Sequence, residues 1–270
     1  MFVSHLAQQG LTHQTIKVYL SAVRNLHVTA GLHNQFAAQL TPRLEMVLKG
    51  IKKDKAAATP RTRLPITIEI MERLRCTLIK QPTDHNNIMM WAACALAFFG
   101  FLRCSEFTVP SQEEYSPAVH LSLQDISLDS RESPTKIPVR IKESKTDPFR
   151  HGCTLCLGKT GKDICPIRAV LPYLAKRGAQ YGPLFLTANG TYLTRGIFSA
   201  RLADTLQEAG VDSKGYNTHS FRIGAATTAN ERGISDVNIK MLGRWKSNAY
   251  QQYVRTPQEQ LAKLSKQLVS

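Results

Sequence analysis

Apolar residues recur along most of this chain with the period of a helix. Phe2–Gln9 reads as a short helix ending at Gly10. Thr12 is then placed to cap a second helix, which sets Ile16, Tyr19, Leu20, Val23 and Leu26 at helical spacing and closes at Gly31. Thr41 followed by Pro42 is a start signal, because proline at the first helical position lacks only an N–H that has no partner there. The helix it opens carries Leu44, Val47, Leu48 and Ile51. Residues 1 to about 57 are therefore expected to be helical throughout. The unit is small and its first helix begins at the first residue, so the chain is expected to be a fragment or shortened form of something longer.

Beyond it the pattern becomes mixed. Thr67 is expected to cap a helix through about Lys80. The stretch Ile88–Leu102 (IMMWAACALAFFGFL) is apolar on every face, so it predicts a fully buried core helix; it is too short to span a bilayer and ends at Arg103. Residues 118–150 alternate and turn like strands, with Lys145-Thr146-Asp147-Pro148 at a hairpin tip. Cys165–Gly178 is expected to be helical, and Asn189–Gly190 marks a hairpin turn within residues 183–194. Helices follow over Ile197–Ala209, Thr218–Arg232, Asp236–Leu242, Ser247–Arg255 and from Pro257 onward, the last with Leu261, Leu264 and Leu268 on one face. The fold class expected is mainly α with a small antiparallel β-sheet (α+β). We divide it into a helical domain at 1–57, a basic linker at 58–63 and a larger domain at 64–270.

Charge narrows the function. Lys and Arg number 35 against 20 Asp and Glu, a formal net charge of +15 that predicts a polyanionic partner, nucleic acid before membrane. The basic residues crowd between Lys49 and Arg63, where Lys49, Lys52, Lys53, Lys55, Arg61 and Arg63 face only Asp54. That stretch reads as a strap across a phosphate backbone. The N-terminus has no basic leader region, and the six cysteines show no secreted disulfide spacing, so an intracellular, reduced protein is expected. His151, Cys153, Cys156 and Cys165 include one Cys-x-x-Cys but no matching second pair, and no zinc is expected there.

The candidate chemistry starts from HSFRIGAATT, residues 219–228. Thr218 is placed as its N-cap and Gly233 as its C-terminal stop. His219 and Arg222, three apart, share a helix face near a helix N-terminus, where an anion is favoured. The small Gly224, Ala225 and Ala226 allow a close backbone approach. Arg103 follows a buried helix, where arginine normally needs an anionic partner; Glu106, one turn on, is that candidate. Lys145 lies at the hairpin tip, Trp245 follows Gly243-Arg244, and Tyr250 and Tyr253 lie a turn apart. Taken singly, each has an ordinary structural explanation.

The ordered set, however, resembles the tyrosine recombinase (phage integrase) family. The phrases GFLRCSEF, SKTDPFRHG, CPIRAV, THSFRIGAAT and LGRWKSNAYQQYVRTP are similar in wording to recombinases of eukaryotic mobile elements, Cryptons and DIRS-like retrotransposons among them. The resemblance covers nearly the whole chain. Residues 1–57 look like a reduced core-binding domain and 64–270 like the catalytic domain.

It implies a site-specific DNA recombinase that cleaves and rejoins strands through a 3′-phosphotyrosyl intermediate, with no cofactor, metal or ATP. Tyr253 would be the nucleophile, Arg103 and Arg222 the clamp on the non-bridging oxygens, and Lys145 the general acid. His219 would hydrogen-bond the phosphate and assist proton transfer, Trp245 would pack the site with its indole N–H, and Glu106 would orient its neighbours. Trp245 stands where many members carry a second histidine, and its spacing to Tyr253 is one residue shorter than in some of them, which leaves Tyr250 as an alternative nucleophile. The implied partner is double-stranded DNA, bound by a homo-oligomer, a tetramer, with no membrane and no small-molecule substrate, and the implied compartment is the nucleus. The tail after Pro257 would fold on its own core or on a neighbouring copy. A type IB topoisomerase, or a domesticated protein that binds DNA without cutting it, remain the alternatives.

Overall fold

Side-chain caps fix where the helices begin. Thr12, Thr67, Asp84, Thr194 and Ser235 each accept the backbone N–H three positions on, which satisfies one of the four donors a helix start leaves unpaired. In this computed structural model, which describes residues 1–32, 42–54, 63–145 and 147–254, the chain divides into two units, Met1–Arg61 and Thr62–Ser270.

The first unit holds helices α1 (Phe2–Gln8), α2 (His13–Thr29) and α3 (Pro42–Asp54). Its core is Val3, Leu6 and Ile16, with Leu20, Leu44, Leu48 and Ile51 packed against them. The stripe expected on α2 is only partly used. Ile16 is fully buried, whereas Tyr19 and Leu26 are exposed. Thr41 lies outside the described residues, as do Lys55, Arg61 and the segment from Arg255 to the end.

The second unit is built around α5 (His85–Phe99), buried at every position from Met89 to Phe98 and in contact with α4 (Ile68–Leu78), α6 (Pro166–Arg177) and α8 (Ser220–Glu231). The helix stops earlier than its apolar run. Gly100 ends it and Phe101 turns to φ +49°, so Arg103 stands off the helix, at the start of a 3-10 turn over Cys104–Glu106. α7 (Arg195–Glu208) and α9 (Asp236–Gly243) complete the helices.

The sheet is one antiparallel pair, β1 (Lys136–Ile141) and β2 (Cys153–Gly158), with Ile141 opposite Cys153 at the end that the connection 142–152 closes. Ile137, Val139 and Ile141 are buried, the alternation that one covered face imposes. Residues 118–135 form no strand, contrary to what their alternation predicts, and meet the sheet through the isolated bridge Ile126–Val139. The Asp125 carboxylate accepts the Ser122 N–H at 2.8 Å and pairs with Lys142 at 2.6 Å, and Asp129 accepts the N–H groups of Thr135 and Lys136. Local carboxylate bonds thus take the donors that a strand would have offered. The Asn189–Gly190 hairpin shrinks likewise, to a turn carrying the isolated bridge Leu186–Tyr192.

α8 meets the chain before α4 with almost no clearance. The Ile66 N–H donates to the Ser220 carbonyl at 3.0 Å, and a Cβ on Gly224 would lie 1.8 Å from the Ile66 carbonyl oxygen. Only glycine fits, which accounts for Gly224 in the HSFRIGAATT stretch. Gly224→Ala is expected to lower stability by about 3 kcal/mol or more, since backbone rather than a yielding side chain must move. The urea midpoint of unfolding measures it, and a loss below about 1 kcal/mol would show that α8 can slide.

Candidate active site

Four elements of the second unit converge on a cleft of about 1100 Å³. The 3-10 turn after α5 brings Arg103, the β1–β2 connection brings Lys145, the N-cap of α8 brings His219, and the segment after α9 brings Arg244, Trp245 and Tyr253. Six cationic side chains line it, Arg63, Arg103, Lys145, Arg195, Arg244 and Lys246, against the single carboxylate Glu143. Glu143 is itself paired with Arg150 at 3.1 Å. The cleft is therefore a focused positive field, which concentrates anions.

Arg103 is set by its own turn. Its Nη1 donates to Glu106 Oε1 at 2.9 Å and its backbone N–H to Glu106 Oε2, also at 2.9 Å. The Glu106 side chain is 1 % exposed, and its second oxygen also accepts from Arg244 Nη2 at 2.7 Å. The partnership expected of Arg103 and Glu106 is thus present, with a third member the sequence reading passed over.

His219 precedes the first turn of α8 and is its N-cap in place of Thr218; its backbone N–H donates to the Asn217 side chain at 2.8 Å. Burial first, then the charges of Arg222, Arg63, Arg103 and Arg195, hold its pKa down to about 4. The imidazole is therefore neutral at pH 7.

Arg222 departs from its expected place. It shares a helix with His219 but does not line the cleft: it is fully buried, with Nη1 donating to the Phe101 carbonyl and Nη2 to the Gly243 carbonyl. The Trp245 ring covers its guanidinium at 4.2 Å, a cation–π contact. Burial, then the neighbouring guanidiniums of Arg103 and Arg244, lower its pKa to about 9, so it remains charged at pH 7. Two backbone carbonyls, one in the turn after α5 and one at the end of α9, take the fork that the helical spacing had assigned to a ligand.

Tyr253 follows a 3-10 turn over Asn248–Gln252, not the α-helix expected there, and Ser247 caps that turn by accepting the Ala249 N–H. Its ring lies 5.1 Å from that of His219 and 5.3 Å from that of Trp245. The Thr227 hydroxyl donates to its backbone carbonyl at 3.2 Å. Tyr250, expected on the same face, is buried in the core instead, 3 % exposed. Trp245 is held by a missing side chain, since a Cβ on Gly243 would overlap its ring.

Lys145 is exposed on the connection, whose shape Asp147 sets by accepting the Gly152 N–H at 2.8 Å. Of the basic strap, Arg63 reaches the cleft wall, and Lys49, Lys52 and Lys53 are exposed at the end of α3 in the other unit. Arg195, Arg244 and Lys246 were not singled out from sequence; Arg244 is legible only as the neighbour of Trp245. Cys153 and Cys156 lie three apart on β2, and among the described residues no three His, Cys, Asp or Glu come together as metal ligands. Nor is any helix among them long and apolar enough to cross a membrane.

No family model matches the chain. It is 22 % identical over 253 residues, 91 % of this chain and 69 % of the relative, to an integrase/recombinase XerD homolog of Selenomonas ruminantium. Among solved structures it resembles the XerA recombinase, with TM-score 0.56 and 15 % identity over 98 % of this chain and 80 % of the other. It also resembles the integrase of the Tn1549 transposon in complex with circular intermediate DNA, with TM-score 0.57 and 13 % identity over 98 % and 82 %. A third likeness is to XerH site-specific recombinase bound to palindromic difH substrate, with TM-score 0.55 and 15 % identity over 76 % of this chain; the match spans about half of the XerH chain, 52 %. The fold, mostly helical with a two-stranded antiparallel sheet, is the one these recombinases and integrases share.

The lowered His219 pKa has a sign that can be checked. Between about 4 and the ordinary 6.5 the unfolded chain binds the proton that the folded one refuses, so this group's contribution is intact above 6.5 and lost as the pH falls toward 4. The wild-type urea midpoint should fall more steeply over that window than that of His219→Gln. Parallel curves would mean that the imidazole is not held neutral.

Proposed function

We propose that this chain is a site-specific DNA recombinase that breaks and rejoins strands through Tyr253. The observation that carries the reading is the setting of that phenol. It faces a neutral imidazole 5.1 Å away at the wall of a cleft rich in fixed cations, whereas Tyr250 lies in the core. The likeness in fold to recombinases and integrases supports it.

In the proposed step the Tyr253 oxygen attacks the phosphorus of a DNA phosphodiester in line with the 5′-oxygen, and loses its proton as it does so. His219, uncharged at pH 7, is suited to assist that proton transfer and to hydrogen-bond the phosphate. Arg103 holds a non-bridging oxygen through the part of its fork that Glu106 leaves open, a planar contact a lysine makes less well. Lys145 protonates the departing 5′-oxygen, and the strand remains joined to Tyr253 by a 3′-phosphotyrosyl bond. Attack by a 5′-hydroxyl reverses the sequence. The bond conserves the energy of the phosphodiester and the guanidiniums neutralise the phosphoryl oxygens, so the step calls for neither ATP nor a metal. Arg222 joins as the second arm of the clamp when the Trp245 ring that covers it moves aside.

The same reading assigns Lys49, Lys52, Lys53, Lys55, Arg61 and Arg63 to the DNA backbone, double-stranded DNA as the partner and a tetramer as the working assembly. The wording of the motifs favours a mobile element of a eukaryotic host and nuclear residence.

Covalent trapping tests the proposal. The protein is incubated in EDTA with nicked fragments of its source genome, quenched with SDS and examined for protein-linked DNA. Tyr253→Phe should abolish the adduct and Tyr250→Phe should retain it, with Arg103→Ala reducing it by about 100- to 1000-fold. Adduct that survives Tyr253→Phe would overturn the assignment. Salt-sensitive DNA binding with no adduct from the wild type would make the chain a DNA-binding protein without strand cleavage, and relaxation without strand exchange would make it a topoisomerase.

A further inference from the structure

Arg244 enters neither the ordered motif set nor the proposed chemistry, yet it is the most highly connected side chain at the cleft. Its Nη1 donates to the Gly100 carbonyl at 3.0 Å, and its Nη2 donates to Glu106 Oε2 at 2.7 Å with the Phe101 carbonyl at 3.5 Å. Its backbone adopts the left-handed conformation, φ +57°, which a non-glycine residue holds only when its surroundings over-determine it. Arg244 and Arg103 are 14 % and 18 % exposed at their side chains, against 1 % for the carboxylate between them.

The charges explain what that arrangement does. A carboxylate paired with Arg103 alone would cancel it, leaving a neutral pair at the wall of a site meant for an anion. Shared between two guanidiniums, Glu106 orients both while the trio keeps one net positive charge. Burial makes the difference matter, since charges this poorly hydrated are weakly screened. Arg222, buried behind Trp245, adds a second charge.

We infer that Arg244 is a positioning residue that keeps the Arg103–Glu106 cluster net positive toward a DNA phosphate by sharing Glu106. The inference rests on the reading that the cleft accepts a phosphodiester, but not on cleavage, so the two can fail separately.

The test is charge bookkeeping in solution. Binding to a short duplex of random sequence is measured by fluorescence anisotropy across a salt series, for wild type, Arg244→Gln, Arg244→Lys and Arg244→Gln/Glu106→Gln. Each phosphate neutralised adds about 0.9 to the slope of log K against log salt. Arg244→Gln should lose about that much. Arg244→Lys, which keeps the charge, should match wild type. The double variant, in which the carboxylate goes with its partner, should regain the wild-type slope. A merely structural arginine would make lysine no better than glutamine and the double variant no better than the single. Either result, or an unchanged slope in Arg244→Gln, overturns the inference. A wild type whose binding does not depend on salt would overturn the DNA reading with it. The trapping of DNA on Tyr253 is read independently.

Discussion

A buried helix end leaves carbonyls that water cannot reach, and the architecture of the second unit follows from how α5 meets that requirement. The two carbonyls just past its end, at Gly100 and Phe101, accept from Arg244 and Arg222, two side chains brought from more than a hundred residues away. The negative end of the helix dipole favours cations there in any case. One constraint thus draws α8 and the end of α9 onto α5, and the guanidiniums that complete the helix also charge the adjoining cleft. Stability and electrostatics are supplied by the same bonds.

That economy has an effect on the imidazole beside them. Among so many cations a histidine is costly to protonate, and His219 stays neutral because burial and arginine act in the same direction. Glu106 is the only counter-charge in direct contact with the arginine group among the described residues, and it faces two of them. The result is a site that repels protons and attracts anions.

Much of this was legible in the chain. Capping residues mark the helix starts at Thr12 and Thr67 and miss by one at Thr218, and the apolar run at 88–102 marks the core helix. Local rules failed where a distant group decided. Helical spacing put Arg222 on the face of His219, but spacing says nothing of the Phe101 and Gly243 carbonyls that turn its fork inward. The premise that a buried arginine needs an anion failed twice. Arg222 is satisfied by carbonyls, and so is Arg177, which donates to five of them between Gly178 and Leu184. Alternation over 118–135 suggested strands because the pattern is blind to Asp125 and Asp129 capturing nearby N–H groups. Arg244 is illegible for the reason that Arg222 is misplaced: its partner, Glu106, is remote in sequence.

The proposed cleavage residues differ in what else they do. Arg222 closes helix-end carbonyls and lies fully inside the core, whereas Lys145 stands exposed on the connection between β1 and β2. Losing the first would leave two buried carbonyls without their donors, whereas the second is exposed and fills no part of the core. A lineage released from selection for recombination would therefore shed the lysine early and keep the arginine for as long as it kept a folded chain. On the proposed chemistry the arginine would then persist for the sake of the fold, and the lysine only for the sake of the reaction.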